Sequence, residues 1–108
     1  MMSKSNEVMK QTKKQIVQMY RDWRKANGNK MPNRAIVKMA WEDGDNTEKG
    51  YQVDTIALQK GDEPYPKDDA VILFYAGRGI SGLLDLMHPD NGSEFIVLEV
   101  LEFYKLKK

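Results

Sequence analysis

The spacing of apolar positions over residues 5–26 predicts an α-helix. Apolar side chains recur every three or four residues, which places them on one stripe of a helix. The stripe consists of Val8, Thr12, Ile16, Met19, Tyr20 and Trp23. We expect Ser5 to be the N-cap and Asn27-Gly28-Asn29 to end the helix in a left-handed turn. The first helix is therefore predicted from Ser5 to about Ala26.

A strict alternation of apolar and polar residues replaces this spacing from Arg34 to Glu42 and predicts a half-buried strand. Eight turn-forming residues, 43–50, lead into a second predicted strand, residues 51–60, so the two form an antiparallel hairpin. Within the second strand the apolar residues change from odd to even positions. We therefore expect a β-bulge near Asp54-Thr55.

The run Val71 to Tyr75 is apolar on both faces, which indicates a central, covered strand. A glycine-rich corner, residues 77–82, follows it and opens a short amphipathic helix that ends at His88-Pro89. The last element is a long strand from Glu94 to Leu106. Its connection to the apolar strand should be a right-handed crossover. The last two strands should then be parallel, and either adjacent or separated by one strand.

These elements predict the α+β class, in the order α-β-β-β-α-β. We expect a mostly antiparallel sheet of three to four strands with both helices on one face. A chain of 108 residues fits a single domain, 1–108, with residues 1–5 and 107–108 frayed.

Composition narrows the class of protein further. The chain has no cysteine, so it forms neither disulfides nor thiolate metal sites. No apolar run approaches the roughly 18 residues typical of a membrane-spanning helix, and the first residues lack the apolar core of an export signal. We therefore expect a cytoplasmic protein without membrane contact.

The charges are divided unevenly along the chain. Residues 1–40 carry ten Lys or Arg against two acidic residues, and the rest carries seven against fourteen. We favour an arrangement in which the basic segment lies against an acidic sheet, in the same molecule or in a second copy. The alternative is nucleic-acid binding through phosphate contacts of the first helix. The candidate residues are Lys10, Lys13, Lys14, Arg21, Arg24 and Lys25.

The glycine corner matches the pattern G-x-G-x-x-G between a predicted strand and a predicted helix. The candidate ligands for a phosphate or nucleotide there are Gly77, Arg78, Gly79, Ser81 and Gly82. A dinucleotide fold alternates several strands and helices, however, and its fingerprint helix is longer than this one. We favour a structural turn over an anion site.

No other pattern indicates a cofactor, a metal or a catalytic centre. The acidic loop from Asp43 to Asp54 resembles the spacing of a calcium loop, but Glu48 occupies the position that needs glycine. His88 has no evident catalytic partner, and a helix-end position explains it. The sequence therefore predicts a small non-enzymatic interaction module for a protein partner, including a second copy as a homodimer. Nucleic-acid binding and phosphate binding stay open as alternatives.

Overall fold

Six elements follow one another in the order predicted from the sequence. The computed structural model describes residues 11–42, 49–61, 73–88, 90–92 and 95–106. They form α1 (Lys13–Ala26), β1 (Arg34–Glu42), β2 (Lys49–Ala57), β3 (Leu73–Tyr75), α2 (Ile80–Asp85) and β4 (Phe95–Tyr104). The α+β class and the bounds of β1 agree with the prediction. Residues 43–48 of the acidic loop, residues 71 and 72, and the chain ends predicted to fray lie outside the described residues, whereas the rest of that loop, 49–54, belongs to β2.

The sheet has the strand order β3-β2-β1-β4. Strand β1 pairs antiparallel with β2 and with β4, and the short β3 pairs parallel with the end of β2, from Thr55 to Ala57. The sheet is thus mostly antiparallel, as predicted. Strands β3 and β4 run in the same direction, but two strands separate them, so the predicted separation of at most one strand is wrong. The long β4 pairs with β1 over almost the whole length of β1. Strand β3 has only three residues and could not form so long a pairing with β4.

The register locates the sheet irregularities between β1 and β4. Pairing of β1 with β2 is continuous from Arg34↔Ala57 to Glu42↔Lys49, so the bulge predicted near Asp54-Thr55 is wrong. The register instead shifts between Ile36 and Val37 and again between Lys38 and Met39, where β1 meets β4.

Burial along β2 explains why the sequence suggested a bulge there. Asp54 and Ile56 face the core, whereas Val53 is 58% exposed on the other face. The buried Asp54 carboxylate accepts hydrogen bonds from Gln52 Nε2 at 2.7 Å and from the amide of Thr55 at 3.1 Å. Because Val53 is apolar but exposed and Asp54 is acidic but buried, the sequence pattern suggests a change of face that the strand does not make.

Helix α1 begins at Lys13, because Thr12 caps it. The Thr12 hydroxyl accepts from the amide of Gln15 at 3.1 Å, and Gln15 Oε1 accepts from the amide of Thr12 at 2.9 Å, which completes a capping box. The predicted start of this helix at Ser5 is wrong, since the sequence assigned Thr12 to the apolar stripe. The preceding Gln11 instead joins the edge of β4, donating to Leu98 O at 2.9 Å and accepting from the Val100 amide at 2.8 Å.

The core lies on one face of the sheet and contains both helices, as predicted. Ile16 and Tyr20 of α1 and Leu83 of α2 belong to the same buried cluster as Val37 of β1 and Phe103 of β4. The rings of Tyr20 and Phe103 meet edge to face at 5.5 Å. This packing fixes the rotation of α1 about its axis.

Candidate functional site

The buried stripe of α1 determines where its charges point. Ile16 and Tyr20 are buried, and Met19 and Trp23 pack partly against the core. Residues at spacings of three and four lie on one side of a helix. The opposite side therefore carries Lys14, Gln18, Arg21 and Lys25, and all four are exposed. We call these four residues the basic stripe.

The cations of the basic stripe are unpaired within the part of the chain that the structure describes. Among the described residues, none forms a hydrogen bond or ion pair with the side chain of Lys14, Arg21 or Lys25. The neighbouring Asp22 accepts a hydrogen bond from Gln18 at 2.9 Å instead. The apolar side of α1 contacts the sheet, so the described part of the molecule does not show the expected pairing of basic helix and acidic sheet.

The side chains of two other predicted basic residues, Lys13 and Arg24, contact the protein itself. Lys13 Nζ lies 2.6 Å from His88 Nε2, which accepts the hydrogen bond in its neutral form and links α1 to the residues after α2. His88 thus contacts the first helix rather than only ending the second. Lys10, the remaining candidate, lies outside the described residues.

Arg24 is held in place at the end of α1. Its guanidinium carbon lies 6.0 Å from the centre of the Tyr20 ring, and Nη2 donates to the carbonyl of Asn29 at 3.2 Å. Its Nε is buried and finds no acceptor in the described part of the structure. Among the described residues, this donor is a buried polar group without a hydrogen bond.

A shallow cavity of about 500 Å³ lies beside Arg24. It is lined by Arg21, Arg24, Lys25, Gly28 and Asn29. Gly28 and Asn29 have φ of 67° and 65°, so the predicted left-handed turn is present and folds the chain back beside the arginines. The sequence indicates the three cations but not the part that Gly28 and Asn29 take in the site, for which the signal is the Asn-Gly-Asn turn, separated from Lys25 by one residue.

The glycine corner is built largely from its own hydrogen bonds. The Gly79 amide donates to Leu58 O at 2.8 Å and to Gly77 O at 2.7 Å, and the Leu83 amide donates to Gly79 O at 3.1 Å. A side chain at Gly82 would overlap the carbonyl oxygen of Ala76. Glycine is therefore required at position 82 for close packing of α2 against the chain before it.

Arg78, the predicted cation of this corner, forms an ion pair with Asp85 across α2. Ser81 is exposed, and α2 has six residues. The amides already engaged and the paired arginine favour the structural role that we prefer from the sequence. Phosphate binding at the corner stays a prediction.

The sheet face opposite the helices carries a second exposed surface. Val53 is 58% exposed and Tyr75 is 47% exposed, and the register places both on this face. Arg34 and Ala57 on the same face are buried. The exposed apolar area is therefore small, and the exposed Glu102 lies on the same face.

No three His, Asp or Glu side chains among the described residues are grouped so as to hold a metal ion. Neither described helix has the length and apolar character needed to cross a membrane.

Comparison of the chain with protein-family models, with curated proteins and with solved structures finds no match.

Proposed function

We propose that this protein is a non-enzymatic binding module that holds the phosphate backbone of a nucleic acid on the basic stripe of α1. The observation that carries the proposal is the stripe itself. Lys14, Arg21 and Lys25 are exposed on the side of α1 that faces away from the sheet, without a partner among the described residues. Cations that no acid among the described residues neutralises favour an external anion.

The composition of the basic stripe favours nucleic acid over an acidic protein. Stable protein interfaces contain an apolar or aromatic centre, whereas the stripe consists of charged and amide side chains. Interfaces with nucleic acids are more polar and much more positive. Phosphate contacts of this kind position a strand without reading its sequence.

The length of the stripe suits several phosphates. Lys14 and Lys25 are eleven residues apart, which corresponds to about 16 Å along a helix. One strand of B-DNA carries a charge every roughly 3.4 Å along its axis, so the stripe faces about five phosphates. Three cations can engage them together.

Direct binding measurements test this proposal. Fluorescence anisotropy with labelled single-stranded and duplex DNA of random sequence should show binding at low salt. Three phosphate contacts predict a loss of affinity of about 15- to 40-fold when salt rises from about 50 to 200 mM. Absence of binding at the lower salt, or affinity for an acidic polypeptide that exceeds the affinity for DNA, would overturn the proposal.

Self-association is the second candidate function, and the exposed Val53 and Tyr75 favour it. An apolar patch on a sheet face is a common site for a second copy of a chain. A homodimer formed there would be converted to monomer by Val53→Lys in sedimentation experiments. A concentration-independent monomer for the unmodified chain would exclude it. For either function we propose the reducing cytoplasm as the location, in keeping with a chain that has no cysteine.

A further inference from the structure

We infer that the cavity at the C-terminal end of α1 binds one phosphate group, with Arg21, Arg24 and Lys25 as its ligands. The inference rests on the proposed function and makes it more specific. It assigns one phosphate of the bound strand, terminal or internal, to a defined site. Lys14 is then the one cation of the basic stripe outside this site, and it contributes charge without a fixed geometry.

The lining of the cavity is suited to an anion of more than one charge. Three cationic side chains contribute to it, together with Gly28 and Asn29, and no carboxylate of the described residues does. A phosphate monoester carries a charge of about −1.5 to −2 at neutral pH, so three cations match it better than they match a single carboxylate. The planar guanidinium of arginine also fits two phosphate oxygens at once.

The partial negative charge at the C-terminal end of α1 repels an anion less strongly than it would at a helix end with free carbonyl groups. The C-terminus of a helix carries partial negative charge on its unpaired carbonyl groups. Here the Arg24 carbonyl accepts from the amides of Asn27 and Asn29, at 3.1 and 2.7 Å. The Trp23 carbonyl accepts from Asn27 Nδ2 at 2.7 Å. The turn therefore occupies the two carbonyl groups and leaves the cations as the dominant charges.

Arg24 is positioned before any ligand arrives. Contact with the Tyr20 ring and the bond from Nη2 to Asn29 O restrict the guanidinium, while Nε is buried and lacks an acceptor among the described residues. The Nη atoms of this restricted guanidinium are the donors that it can offer to a phosphate oxygen. Positioning of this kind reduces the entropy lost on binding.

The cavity is large enough for a phosphate group and the sugar attached to it. Sites for small ligands occupy about 300–1,000 Å³, and this one has about 500 Å³. A single phosphate leaves room for the sugar that carries it. The open side of the cavity allows the strand to continue onto the basic stripe.

The first experiment is an NMR titration of the full chain, labelled with ¹⁵N, with inorganic phosphate at constant ionic strength. We expect saturable shifts at the amides of Gly28 and Asn29 and at Arg24 Nε–H, and none with chloride. Shifts that fail to saturate, or that are equal with chloride, would overturn the site.

Matched variants locate the site within the basic surface. Arg21→Gln and Lys25→Gln each should weaken phosphate binding about tenfold, and Arg24→Lys should do so although its charge is kept. Lys14→Gln removes a charge from the same stripe outside the cavity and should leave phosphate binding unchanged. Because Arg24 also packs on Tyr20, the Arg21 and Lys25 variants decide the outcome if the Arg24 variant fails to fold. Equal weakening by Lys14→Gln and Lys25→Gln would contradict the site.

Oligonucleotides with a 5′-phosphate and with a 5′-hydroxyl distinguish the source of the phosphate. Tighter binding of the phosphorylated strand, with larger shifts at Gly28 and Asn29, identifies a terminal phosphate; equal shifts identify an internal one. If strands bind without shifting these two amides, the inference fails and the proposed function stands. If inorganic phosphate saturates the shifts but strands do not bind, the site stands and the proposed function fails.

Discussion

Single residues fix the close approaches on which this fold depends, and Gly82 is the strictest of them. A Cβ there would overlap the backbone oxygen of Ala76, which cannot move away as a flexible side chain could. We expect Gly82→Ala to lower the free energy of unfolding by about 3 kcal/mol or more. Ser81→Ala, exposed on the same helix, is the control and should change it by less than about 0.5 kcal/mol. Urea denaturation measures both, and equal effects would contradict the packing described.

Asn33 joins three strands at one end of the sheet. Its amide donates to Tyr104 O and its carbonyl accepts from the Leu58 amide, each at 3.1 Å. Its side chain accepts from the Leu106 amide at 2.8 Å and donates to Leu106 O at 3.1 Å. The residue is 9% exposed, so neither side-chain bond is readily replaced by water.

Asn33→Ala should therefore reduce stability by about 1 kcal/mol, since two hydrogen bonds to the backbone of Leu106 are lost. Amide hydrogen exchange gives a local measure of the same change. The Leu106 amide should exchange much faster in the variant under native conditions, while the amides at the centre of β1 keep their protection. Unchanged exchange at Leu106 would show that Asn33 does not hold the end of β4.

At the scale of elements, the capping box defines the start of α1. Replacement of Thr12 by Ala removes the acceptor for the Gln15 amide and should cost about 1 kcal/mol. Thr12→Ser keeps the hydroxyl and should cost only a few tenths of that amount. Thermal unfolding followed by circular dichroism compares the two variants. A loss equal in both would mean that the hydroxyl does not cap the helix.

The sequence predicts elements well where one local rule decides. The alternation over residues 34–42 gives the bounds of β1, because that strand has one buried and one partly covered face. The start of α1 is missed because Thr12 fits both an apolar stripe and a cap, and only the bonds to Gln15 separate the two roles. The strand order is missed because it depends on how much of β1 each later strand can pair with, which local periodicity does not contain.

The candidate site divides in the same way. The charge asymmetry and the apolar stripe together indicate which side of α1 carries exposed cations, since a helix that buries Ile16 and Tyr20 must turn Lys14, Arg21 and Lys25 outward. The cavity could not be predicted, because it depends on the turn at Gly28 and Asn29 folding back beside Arg24. The ion pair between Arg78 and Asp85, which engages the cation of the predicted anion site, likewise depends on tertiary geometry.

At the scale of the whole molecule, the uneven charge distribution becomes a spatial one. The basic stripe lies on the outer side of α1, and α1 covers one face of a sheet whose sequence region is acidic. Within the described residues, the outer side of α1 thus carries three unpaired cations. The proposed attraction to a nucleic acid would depend on the orientation of the molecule and on the salt concentration.

A charge-reversal pair tests the central claim most directly. Lys14→Glu with Arg21→Glu reverses two cations of the basic stripe, and Lys60→Glu with Lys105→Glu makes the same net change at exposed positions elsewhere. Anisotropy with single-stranded DNA at low salt measures the affinity of both variants, after circular dichroism has shown that both are folded. We predict that the stripe variant loses at least about 30-fold in affinity and that the other loses less than about threefold. Equal losses in the two variants would contradict the account.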